Sequence, residues 1–120
     1  MQLLPDELRA QLPPLYAQEG SSDPVIYIKY FTPDSNWTWF VSEGQPEEDD
    51  FMFFGWVNGL CLEAGYFLLS ELETNRGPNG LPIERDLYFK PALWSEVKKR
   101  AGLDDEPERE EHCGCLAMDP

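Results

Sequence analysis

Apolar residues recur along this chain in two rhythms, and each change of rhythm marks an element. Leu4, Leu8 and Leu12 fall at i, i+4 and i+8, which predicts a short amphipathic helix over Leu4–Leu12. Pro5 suits its first turn, and Asp6 and Glu7 suit the positive end of its dipole. Pro13-Pro14 stops it, because the residue before a proline is pushed out of helical geometry. The period then shortens to two. Val25–Phe31 is β-branched and aromatic, Thr32–Asn36 (TPDSN) has turn chemistry, and Trp37–Ser42 reads as the return strand of a hairpin. Alternation places Trp37, Trp39 and Val41 on one face and Thr38, Phe40 and Ser42 on the other.

Glu43–Asp50 (EGQPEEDD) reads as a solvated acidic loop, followed by strands at Phe51–Val57 and Gly65–Leu69 joined through Asn58–Ala64. Asn58-Gly59 has the composition of a primed turn, but the apolar residues after it favour a longer connection. Ser70 and Glu73 have the spacing of a capping box, which predicts a short helix over Glu71–Asn75. Arg76–Pro82 (RGPNGLP) breaks that helix. Asp86–Phe89 has the length of a short edge strand, and Leu93, Trp94, Val97 and Ala101 mark one face of a final helix over Leu93–Ala101. Lys98, Lys99 and Arg100 lie at its negative end.

Sequential strands with short connections imply antiparallel pairing. The expectation is one α+β domain over 1–103: a mainly antiparallel sheet of about four strands with flanking N- and C-terminal helices. Its core is expected to include Leu8, Ile26, Ile28, Trp39, Val41, Phe53, Tyr66, Leu68, Leu72, Leu87 and Val97. Residues 104–120 lack apolar periodicity and are expected to form a mobile acidic tail.

Length and charge narrow the classes. A chain of 120 residues fits one domain and buries roughly 60–70% of its unfolded surface. Nine Lys and Arg stand against 23 Asp and Glu, for a net charge of −14. Seven of the acids and one Arg fall in 104–120, so the body is acidic without its tail. Such a surface disfavours direct nucleic acid binding and anionic lipid and favours a basic protein partner. Three cysteines, Cys61, Cys113 and Cys115, are an odd set for a secreted disulfide framework. With no signal-peptide pattern and no long apolar span, the reading is a cytoplasmic protein that meets no membrane.

The segment Gly65–Pro91, GYFLLSELETNRGPNGLPIERDLYFKP, resembles the signature of the DUF2958 family. The opening LLPDELRAQL and the hairpin IYIKYFTPDSNWTWFVSE resemble the same family, so the likeness spans most of residues 3–97. It implies the family's fold and a setting on bacterial mobile elements, without a mechanism. The tail has no counterpart in it.

Glu84-Arg85-Asp86, with Arg76 eight residues before Glu84, is the best polar constellation. Two carboxylates and two guanidiniums suit acid–base or phosphate chemistry, or simply tie down a turn-rich loop. The loop's Gly77, Pro78, Gly80 and Pro82 make it rigid enough to present those side chains. His112, Cys113 and Cys115 are three soft ligands in one short cluster, whereas zinc takes four in two separated pairs, so no metal site is assigned. The aromatics at strand spacing read as core. No P-loop, GxGxxG, GxSxG or HExxH pattern occurs, and no cofactor is implied.

The leading expectation is therefore a non-enzymatic accessory protein that binds another protein, in defence evasion or element maintenance. One alternative is a carboxylate-based enzyme using Glu84 and Asp86 with Arg76 or Arg85. Another is a DNA mimic, since 14 net charges match about 24 Å of duplex.

Overall fold

Strand and helix segments assemble into two antiparallel sheets with helices on both faces of the larger one. The computed structural model describes residues 2–103. The elements are α1 (Asp6–Gln11), β1 (Val25–Ile26), β2 (Ile28–Phe31), β3 (Thr38–Glu47), β4 (Asp50–Asn58), β5 (Leu62–Leu68), α2 (Leu69–Thr74), β6 (Glu84–Arg85), β7 (Ala92–Leu93) and α3 (Trp94–Ala101). The main sheet runs β5-β4-β3-β2-β6, and β1 and β7 pair separately. Every pairing is antiparallel. The architecture is α+β, as the pattern predicts. No helix among the described residues is long and apolar enough to cross a membrane.

Register explains how one sheet carries two cores. On the first face lie Ile28, Tyr30, Trp39, Val41, Phe53 and Phe67, covered by Leu3, Leu4, Leu12 and, from α2, Leu72. On the second face Phe40 meets Ile26 of β1 and Trp94 and Val97 of α3. Trp39 and Val41 therefore oppose Phe40 and Ser42 as alternation requires, but both sets are buried. The sheet is a middle layer.

Several boundaries depart from the sequence expectation. Val25–Phe31 is not one strand: it breaks at Tyr27, where β1 leaves to pair with β7 (Ile26↔Ala92) while β2 stays in the main sheet. Glu43–Asp50 is not a loop. β3 continues to Glu47, and Glu47 pairs with Asp50 across a turn with Glu48 at φ 56°. Gly44 makes this possible, since its missing Cβ leaves space for the Phe51 ring, which would otherwise lie at 2.6 Å. β5 starts at Leu62, three residues earlier than predicted, because Leu62, Glu63 and Ala64 continue the ladder opposite Asn58, Val57 and Trp56. Asp86–Phe89 is a turn. The edge strand is Glu84–Arg85, and Asp86 Oδ1 then accepts the Tyr88 amide at 2.9 Å.

Carboxylates hold the starts of α2 and α3. The predicted Ser70–Glu73 box does not form. Instead α2 begins at Leu69, Glu71 Oε1 accepts the Leu68 amide at 3.0 Å, and Asp50 Oδ1 accepts the Ser70 amide at 3.1 Å. Asp23 holds α3 in the same way, accepting the Ser95 amide at 2.8 Å and its hydroxyl at 2.7 Å. In the core list three residues are corrected, the first being Leu68, which is half-buried and joins neither core cluster. Tyr66 is 52% exposed and Leu87 61% exposed. Phe67, next to Tyr66, takes the inward position opposite Phe53. Leu87 lies in the turn after β6, where no strand alternation acts on it.

Candidate functional site

The Arg76–Asp86 segment folds back on the β2–β3 turn through Asp34. Gly77 packs against the Asp34 carboxylate so closely that a Cβ would sit 1.6 Å from Oδ1, and Asp34 Oδ2 accepts the Asn79 amide at 2.8 Å. Gly80, at φ 85°, donates to the Gly77 carbonyl and closes the turn. The segment then enters β6, which pairs with β2 through Arg85↔Tyr30 and Glu84↔Phe31.

The four candidate residues separate here. Arg76 turns back on α2: its Nη1 donates to the carbonyls of Glu73 at 3.1 Å and Asn75 at 2.8 Å, satisfying helix-end acceptors. It lines a different depression, with Ile83 and Trp39. Glu84, Arg85 and Asp86 do share a concavity, about 520 Å³ in volume, on the β2–β6 edge. Asp86 Oδ2 lies 3.7 Å from Lys29 Nζ, and Arg85 Nε donates to the Gln2 carbonyl at 3.3 Å. Apolar side chains rim this groove: Leu87, Trp37 at 41% exposed and Tyr88 at 91% exposed. The groove thus offers charges of both signs beside exposed rings. That arrangement suits recognition of a mixed polar and apolar surface. His112, Cys113 and Cys115, like the whole 104–120 tail, lie outside the described residues.

A second concavity, about 500 Å³, was not legible in the sequence. It opens on the sheet face that carries α3, beneath the loop preceding β1. A register shift between Val41 and Glu43 turns Glu43 inward, where it is 4% exposed. Its Oε1 accepts the Tyr16 amide at 2.8 Å and its Oε2 the Gln18 amide at 2.7 Å. Gln45 Oε1 accepts the Leu15 amide at 3.1 Å, and Gln18 bonds both the amide and the carbonyl of Val25. The loop is therefore sewn to β3 by side chains that the acidic-loop reading left in solvent.

Five aromatic rings line this pocket: Tyr16, Phe54, Trp56, Tyr66 and Trp94. Trp56 stacks on Trp94 with centroids 4.5 Å apart and planes 17° from parallel. Phe54 lies 5.1 Å from Tyr66, which meets Tyr16 edge-on at 6.4 Å. Hydrogen bonding to Tyr16 pushes the Tyr66 phenol above its usual value. Lys98 Nζ rests 5.6 Å from the centre of the Trp94 ring. The one available sequence signal was the i, i+2 spacing of Phe54 and Trp56, which fixes a shared face. Their meeting with Tyr16 and Trp94 is tertiary.

Fold and concavities together describe a small antiparallel α+β protein with a groove at the β2–β6 edge and an aromatic pocket on the sheet face that carries α3. Residues 3–102 match the model of a protein family of unknown function, DUF2958, and the chain belongs to that family. No curated protein and no solved structure shows a significant match.

Proposed function

We propose that this chain is a non-enzymatic accessory protein that binds a basic protein partner through the groove at the β2–β6 edge. The observation that carries this reading is the grouping of exposed Trp37, Leu87 and Tyr88 around the polar cluster of Lys29, Glu84, Arg85 and Asp86. Exposed aromatic and aliphatic side chains beside charges are the anchors of protein interfaces. The net charge of −14 supports a basic partner, because it accelerates encounter and disfavours phosphate-bearing ligands. The mobile-element setting implied by the family resemblance gives the proposed accessory role its context.

The carboxylate-enzyme reading has less support. Arg76 is committed to the end of α2, and Asp86 is paired with Lys29, so the four residues do not converge on one reacting position. The test is affinity capture from host lysate at low and high salt, with wild type and Tyr88→Ala compared. A specific basic partner that is lost at high salt and weakened by Tyr88→Ala is expected. Capture that is indifferent to both salt and Tyr88→Ala would overturn the reading.

A further inference from the structure

The aromatic pocket beneath the loop before β1 is separate from the β2–β6 groove and has a chemistry of its own. We infer that it receives an organic cation, the guanidinium of an arginine side chain presented by a protein partner. The source of the cation rests on the partner reading above, whereas the preference for a cation rests on the pocket alone.

Four observations converge on it. Ring faces attract cations through their negative quadrupole, and a planar guanidinium also stacks on them. Phe54, Tyr66, Tyr16 and the outward face of the stacked Trp56–Trp94 pair supply those faces from four separate parts of the chain. The pocket already holds a cation of the protein's own, Lys98 Nζ, 5.6 Å from the Trp94 ring centre. Glu43 adds a buried negative charge: its two hydrogen-bond partners are neutral backbone amides, which leave its charge uncancelled and further acceptor positions on each oxygen. Glu19 places a second acid at the exposed rim.

Tyr16 is the fourth observation. It holds φ at 74°, a left-handed conformation that is costly for a bulky residue. Glu43 fixes this strained residue through its amide, with its ring against Tyr66 at the pocket mouth and 60% exposed. Strain maintained by the surrounding structure at a cavity mouth is the pattern of a preorganised binding position.

The alternative occupants are an anion held by Lys98 and a neutral sugar stacked on Trp56, and both are separable by experiment. The full chain is titrated with N-acetyl-arginine amide, its neutral citrulline isostere, inorganic phosphate and methyl glucoside, following the Trp56 and Trp94 indole resonances by NMR. The arginine amide should shift both indoles saturably, with the citrulline compound about tenfold weaker. Lys98→Ala should strengthen arginine-amide binding severalfold, because the resident cation no longer competes for the ring. Trp56→Leu should abolish it while the circular dichroism spectrum remains that of a folded protein. Equal binding of the citrulline compound, indole shifts with phosphate or glucoside instead, or weaker arginine binding by Lys98→Ala would each overturn the assignment. Arginine-amide binding with no partner captured would overturn the partner reading alone. A captured partner that tolerates Trp56→Leu would overturn the partner as the source of the cation.

Discussion

Gly55 pairs with Val41 across β3 and β4, and a Cβ there would meet the Phe40 carbonyl oxygen at 1.8 Å. Backbone cannot rotate away as a side chain can, so Gly55→Ala must separate two central strands. The expected cost is at the upper end of overpacking penalties, about 3 kcal/mol, read as a lowered urea midpoint. An unchanged midpoint would show that the sheet yields there. Arg76 makes a different case. Its guanidinium is exposed and bonded to two carbonyls at the end of α2. Arg76→Ala should lower stability by about 1 kcal/mol and leave partner capture unchanged. Loss of capture in a variant of wild-type stability would move Arg76 into the binding surface. Phe53 is fully buried between Tyr30, Phe51 and Phe67, and Phe53→Ala should cost about 3–5 kcal/mol.

The elements are short, and their ends carry much of the specification. α2 and α3 are capped by carboxylates supplied from outside the helix, Asp50 and Asp23. Their hydrogen bonds to Ser70 and Ser95 hold both carboxyls below the usual carboxylate value of 3.8. A depressed folded-state value means that the stabilisation is present above the unfolded value and disappears as pH falls through the lower folded one. Denaturant stability should therefore begin to fall as pH drops below about 4, and Asp23→Ala with Asp50→Ala should flatten that acid limb. A double variant with the wild-type acid profile would contradict the capping role. The same scale explains the misread hairpin. Five acids among the eight residues of Glu43–Asp50 suggest solvent, yet Glu43 and Asp50 are used to bind backbone amides.

For the molecule as a whole, charge opposes compactness. A net charge of −14 on 120 residues generates self-repulsion that folding concentrates. Raising NaCl from low ionic strength to about 0.5 M should raise the Tm near neutral pH, because the Debye length then falls well below the molecular radius. A falling Tm would show that specific ion pairs, such as Lys29–Asp86, outweigh the repulsion. The acidic body also places both concavities in a field that draws cations.

Local chemistry by itself determined that this chain forms an antiparallel α+β domain: the β-branched and aromatic runs, the TPDSN turn and the helical spacing of Trp94 and Val97 are short-range signals. It also marked Glu84, Arg85 and Asp86 as neighbours, which adjacency in sequence nearly guarantees. Tertiary structure decided the rest. The strand break at Tyr27 depends on β7, more than sixty residues later. The outward turn of Tyr66 depends on which neighbour meets Phe53. Arg76 parts from Glu84 because α2 offers its carbonyls first. The aromatic pocket needs a loop, two strands and a helix to meet around a buried carboxylate, and no periodicity records contacts between residues so far apart along the chain.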